Sequence, residues 1–134
     1  MGSLNEELIE FIENNSCEVA TVDEKGIPNV APKGSLKAMD NETIVYADMY
    51  PGRTSENIKK NPEVAISVVN YQEMEGYEIK GKAELLDSGP IYDKVVEEVS
   101  KLPMDLPKPE YAVKVKVKKV INHTPGPNAG KELQ

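Results

Sequence analysis

Leu4, Leu8, Ile9, Phe11 and Ile12 recur at i, i+4 and i+5 with Glu and Asn between them. That is the spacing of a helix with one apolar face, and Asn14-Asn15 ends it. From Glu18 to Val22 a short β-prone run follows, and Asp23-Glu24-Lys25-Gly26 supplies the turn chemistry of a hairpin before Ile27. The next arm, Ile27 to Met39, is interrupted by Pro28, Pro32 and Gly34, residues that belong at strand edges, bulges or close backbone approaches. Asp40-Asn41-Glu42 turns the chain into a strong strand, Thr43 to Ala47, which ends at Asp48-Met49-Tyr50-Pro51-Gly52.

That loop feeds a helix predicted over about Arg53 to Lys60, stopped by Asn61-Pro62 because Pro biases its predecessor out of the helical region. Glu63 to Asn70 and Gly76 to Leu86 read as two further strands. Ile91, Val95, Val96, Val99 and Leu102 repeat at helical spacing, and Pro103, Pro107 and Pro109 then forbid regular structure. Tyr111 to Lys118 alternates Val with Lys, the pattern of a half-buried antiparallel strand, and a tail rich in Gly, Pro and Asn closes the sequence. About six antiparallel strands with helices at three points predict a mainly β fold, a small barrel or sandwich with accessory helices.

Composition narrows the function. With 134 residues the chain makes one domain that can bury a core without staples. A net charge of −7 argues against nucleic acid as a partner, because a phosphate-backbone binder needs a concentrated basic face. Cys17 stands alone, so no intrachain disulfide forms, and one Cys with one His cannot build a Cys/His zinc site. The apolar stretches are far shorter than the roughly 20 residues that span a bilayer, and no basic-then-apolar signal opens the chain. A soluble protein of the reducing cytoplasm is expected, with no membrane partner.

Side-chain catalysis has little to work with. No Ser/His/Asp or Cys/His arrangement can be assembled from His123 and Cys17, and no GxGxxG or P-loop pattern occurs. Two stretches stand out. At Gly52-Arg53-Thr54-Ser55 a Gly-containing loop opens a helix, where free N–H groups, Arg53 and the two hydroxyls would suit a phosphate monoester; plain helix capping is the alternative. In Asn29-Val30-Ala31-Pro32-Lys33-Gly34-Ser35-Leu36-Lys37, breakers inside a strand expose backbone to which a flat ring could hydrogen-bond; an edge strand guarded by Pro and Lys is the alternative.

These two stretches carry a family resemblance. From Gly26 to Leu86, the segments Gly-Ile-Pro-Asn-Val-Ala-Pro-Lys-Gly-Ser-Leu-Lys, Asp-Asn-Glu-Thr-Ile-Val-Tyr-Ala-Asp, Gly-Arg-Thr-Ser-Glu-Asn-Ile-Lys-Lys-Asn-Pro-Glu-Val-Ala and Gly-Tyr-Glu-Ile-Lys-Gly-Lys-Ala-Glu-Leu follow in order. Together they resemble the FMN-binding split-barrel family related to pyridoxamine 5'-phosphate oxidase, particularly its short members. The tail Thr124 to Lys131 is similar to endings in that group.

The resemblance implies a six-stranded antiparallel split β-barrel that forms a homodimer, with one FMN in each of two clefts at the interface. By matching position Arg53 and Thr54 would hold the phosphate, with Ser55 and Lys33 or Ser35 as supporting donors. Main chain at Ala47, Asp48 and Met49 and at Pro32, Lys33, Gly34 and Ser35 would meet the ring and ribityl groups. Lys33 would be the positive group that stabilises the anionic reduced flavin, which carries the electrons. The partner subunit, and part of its tail, would cover the ring. An FMN-dependent oxidoreductase or electron carrier with an unassigned small-molecule or protein redox partner is implied; a deazaflavin reductase or a non-catalytic flavin-binding module on the same fold are the alternatives. The chain lacks the Arg-x-His pattern those oxidases place near the C-terminus, His123 being preceded by Ile121-Asn122, which argues against vitamin B6 oxidation. A lone His in a tail likewise argues against haem ligation.

Overall fold

Asn5 opens the first helix: its side-chain oxygen accepts the Leu8 N–H at 2.8 Å, and α1 runs Glu6–Asn14. In the computed structural model, which describes residues 3–133, the remaining elements are β1 (Ser16–Val22), β2 (Pro28–Lys33), β3 (Lys37–Asp40), β4 (Thr43–Asp48), α2 (Arg53–Lys60), β5 (Glu63–Asn70), β6 (Glu75–Leu86), α3 (Pro90–Ser100) and β7 (Tyr111–Asn122). The β1–β2 hairpin forms as its turn chemistry dictates. Asp23 Oδ1 accepts the N–H groups of Lys25 and Ile27, and Gly26 takes the positive φ of 80° that the turn requires.

The strands form a seven-stranded sheet in the order β2-β1-β5-β6-β7-β4-β3, with antiparallel neighbours throughout. The expected count of six is therefore corrected to seven. The interrupted arm from Ile27 to Met39 is two strands, since Gly34-Ser35-Leu36 leaves the ladder between β2 and β3.

That short link dictates the shape. Laid flat, seven strands would hold their outermost members roughly 29 Å apart at about 4.8 Å per gap. The chain from Lys33 to Lys37 spans at most about 14 Å at ~3.6 Å per residue. β2 and β3 are the two ends of the sheet, so the sheet must curl until they meet, leaving a split where β2 is not paired with β3 or β4. This is the split barrel.

The interior is aliphatic, as a chain without Trp requires. Val19, Ile44, Ile66, Ile79, Val113 and Val115 are fully buried, and α1 contributes Leu8 and Ile12 to the same cluster. A second cluster lies outside the barrel wall, where Val45, Ala47 and Ala112 are covered by Tyr92, Val95 and Val99 of α3. β4 is consequently buried on both faces along its whole length. Among the described residues no helix is long and apolar enough to cross a membrane.

Candidate functional site at the barrel split

Gly52 caps α2 without a side-chain hydrogen bond, and the first N–H accepted within the helix is that of Glu56, at 3.0 Å from the Gly52 carbonyl. The N–H groups of Arg53, Thr54 and Ser55 therefore meet no acceptor among the described residues. Arg53 is exposed beside them. Thr54 and Ser55 are instead buried, at 5% and 1% exposure, with their hydroxyls turned into the protein. Asn29 Nδ2 donates to Thr54 Oγ1 at 3.3 Å, and the Ser55 hydroxyl donates to the carboxylate of Asp48 in a short contact.

Asp48 stands at the end of β4, 3% exposed, and is the centre of this cluster. Its Oδ1 lies 3.8 Å from Lys33 Nζ, which reaches over from the end of β2 and sits 5.5 Å from the centroid of the Tyr46 ring. Lys33 thus spans the split. Ser35, in the link, accepts the Ala47 N–H on its Oγ at 3.0 Å, so a side chain stands where the short β3 no longer supplies a partner to β4. The Tyr46 hydroxyl is buried with no hydrogen-bond partner among the described residues, and burial, then the Asp48 charge, push it well above the ordinary tyrosine range.

Lys33, Ser35, Ala47, Asp48, Thr54 and Ser55 thus converge along the split, and Arg53 flanks it on α2. Met49 is half-buried against the outer cluster. Pro32 and Gly34 are exposed, Pro32 on the outward side of β2. Of the predicted donors, Ser55 has its hydroxyl committed to Asp48, so its N–H is what it leaves for an anion.

Gly34, Ser35 and Ala47 also wall a cavity of about 430 Å³ between α3 and the β3–β4 edge, which Arg53, Thr54 and Ser55 do not line. Sequence reasoning missed its helical wall. The signal was present: Lys94 and Glu98 flank Val95 and Val99 one turn apart on α3. His123 lies elsewhere, exposed and 3.0 Å from Glu78. The tail folds back on its own chain, with Leu133 N–H bonded to the Val120 carbonyl at 2.8 Å.

The family model described as pyridoxamine 5'-phosphate oxidase matches residues 4–123, from α1 to the end of β7. The chain belongs to the pyridoxamine 5'-phosphate oxidase family. An uncharacterized protein of Methanocaldococcus jannaschii is 40% identical over 131 residues, covering 96% of this chain and 86% of that protein. The crystal structure of HupZ from Group A Streptococcus superposes with a TM-score of 0.85 at 31% identity, over 95% of this chain and 99% of that one. An FMN-binding protein from Syntrophomonas wolfei shares the fold, with a TM-score of 0.74 at 19% identity over 87% and 86% of the two chains.

Proposed function

We propose that the split holds FMN and that the protein is an FMN-dependent oxidoreductase or electron carrier working as a homodimer. The observation that carries this reading is the first turn of α2: three N–H groups without acceptors, the positive end of the helix dipole and the exposed Arg53 guanidinium stand together at the split. That donor set fits a phosphate monoester. Thr54 keeps its hydroxyl hydrogen as a further donor, while Ser55 and Asp48 fix the turn from behind. Ser35 and Ala47 hold the adjacent backbone in place, and Lys33 adds a positive charge that favours the form of a cofactor bearing extra negative charge. The flavin itself supplies the redox chemistry. Asp48, the acid of the split, is engaged by Lys33 and Ser55, which accords with a division of labour in which the chain binds and shields.

Pairing of two copies would cover apolar side chains now left in solvent, such as Val30, 64% exposed, Tyr50, 74%, or Met104, 60%. A cytoplasmic location accords with the buried, unpaired Cys17.

The spectrum of the purified protein, with and without added FMN, tests the reading. A flavin band that co-purifies, or saturable micromolar binding weakened at least tenfold by Arg53→Ala, is expected. Absence of binding, or equal binding by the variant, removes it. The same titration with a deazaflavin separates the two cofactors, and size-exclusion chromatography reads the assembly.

A further inference from the structure

The cavity beneath α3 is a slot between a sheet and a helix. On one side stand Val45 and Ala47 of β4, on the other Val95 and Val99 of α3, and Leu36 of the link also lines it. All five are at most 8% exposed and none offers a side-chain hydrogen-bonding group. Whatever enters deeply must be apolar, because an unpaired polar group there would cost roughly 1–3 kcal/mol. The volume, about 430 Å³, lies within the range of small-molecule sites.

The mouth is charged, and its charges are unevenly matched. Glu13 accepts the Ala38 N–H at 3.0 Å, and Glu98 pairs with Lys37 at 3.1 Å across the opening, from α3 to β3. Lys37 first, then the nearby charges of Lys101 and Lys94, hold the Glu98 carboxyl below its usual range. Lys101 has its own partner in Glu97, whereas Lys94 has no carboxylate within ion-pair distance among the described residues. With Glu13 engaged by the Ala38 N–H and Glu98 by Lys37, Lys94 is left as the rim cation without a carboxylate partner among the described residues, and a ligand anion would supply one.

We propose that this cavity binds a small aromatic or alicyclic carboxylate, its ring system between β4 and α3 and its carboxylate at Lys94 and Lys37. The arginine turn of α2 is absent from the lining, so the cavity is a site apart from the phosphate cradle, which it adjoins through Ser35 and Ala47. Binding here does not depend on the split holding FMN, so the two readings fail separately.

Titration of the intact protein with 2-naphthoate and with its neutral amide, followed by ligand fluorescence in the presence and absence of FMN, tests the proposal. Saturable naphthoate binding is expected, stronger than that of the amide. Lys94→Ala should weaken naphthoate about fivefold, the worth of one partly exposed ion pair, and leave the amide within about twofold. Val95→Phe, which fills the slot from its α3 wall, should abolish both while the melting temperature stays close to that of the unmodified chain. Should Val95→Phe fail to fold, the charge variant still decides. Absence of naphthoate binding, or a Lys94→Ala titration identical to that of the unmodified protein, overturns the proposal. Displacement of naphthoate by FMN in direct competition overturns it too, because the cavity would then belong to the flavin site.

Discussion

The ammonium of Lys33 stands 3.8 Å from the carboxylate of Asp48, across the one place in the curled sheet where no backbone ladder joins the strands. Asp48 also receives the Ser55 hydroxyl, so a buried carboxylate ties β2, β4 and α2 together at the split. Asp48→Ala should destabilise the fold by about 2–4 kcal/mol, since it leaves Ser55 without its acceptor and Lys33 without a counter-charge. Asp48→Asn keeps an acceptor for Ser55 and should cost about half as much. It also removes a negative charge beside the α2 N-terminus, so a phosphate-bearing ligand should bind more tightly to Asp48→Asn than to the unmodified protein. Chemical denaturation of both variants and a titration of the second check these expectations; an alanine variant as stable as the parent would show that the carboxylate holds nothing together.

Much of this cluster was visible in the sequence and its assembly was not. The turn residues before Ile27, the stop at Asn61-Pro62 and the alternation of Val113 to Lys118 act over a few neighbours, and the elements they mark form where expected. β7, however, runs on to Asn122. Lys80 pairs with Lys119 and Gly81 with Val117, so Lys118 is the extra residue of a β-bulge, and the Val/Lys phase slips there although the strand continues. The inward turn of Ser55 and Thr54 was equally hidden, because it depends on Asp48 and Asn29, and only the curled sheet brings Asn29 to α2. The cavity under α3 needs three distant segments at once.

Tyr46→Phe should leave the fold as stable or raise its stability by about 1 kcal/mol. The hydroxyl is buried at 1% residue exposure without a partner among the described residues, and the ring alone fills the site. Thermal unfolding decides, and a clear loss in the variant would reveal a partner held by the native hydroxyl.

Stability on the alkaline side should track Cys17. Burial, with a smaller contribution from Glu18, pushes its thiol up to about 11. The unfolded chain releases this proton near pH 9, so between about pH 9 and 11 the native state binds more protons than the unfolded state and stability falls as pH rises. Two units correspond to roughly 2–3 kcal/mol. This stabilising effect is fully present below pH 9 and lost as pH rises through the folded value. Cys17→Ala should lose some stability at pH 7 through the vacated volume and show a flatter alkaline limb. Urea midpoints at several pH values compare the two, and parallel limbs would count against the thiol as the cause.

Gly81 sits at the bulge between β6 and β7, and its place tolerates no side chain. A Cβ there would lie 2.5 Å from the Lys116 carbonyl oxygen and 2.7 Å from Val115 Cγ1, the first of which is backbone and cannot swing aside. β6 and β7 form the longest ladder of the sheet, so the strain would be shared by the wall that carries Ala112 and Val113 behind β4. Gly81→Ala should therefore destabilise by about 2–4 kcal/mol through overpacking. Gly34→Ala, where a Cβ meets nothing within 4 Å, should change stability by no more than about 0.5 kcal/mol. Thermal melts of the pair make the comparison internal: similar midpoints for the two variants would mean that the bulge relaxes and that the close approach at Gly81 does not limit the fold.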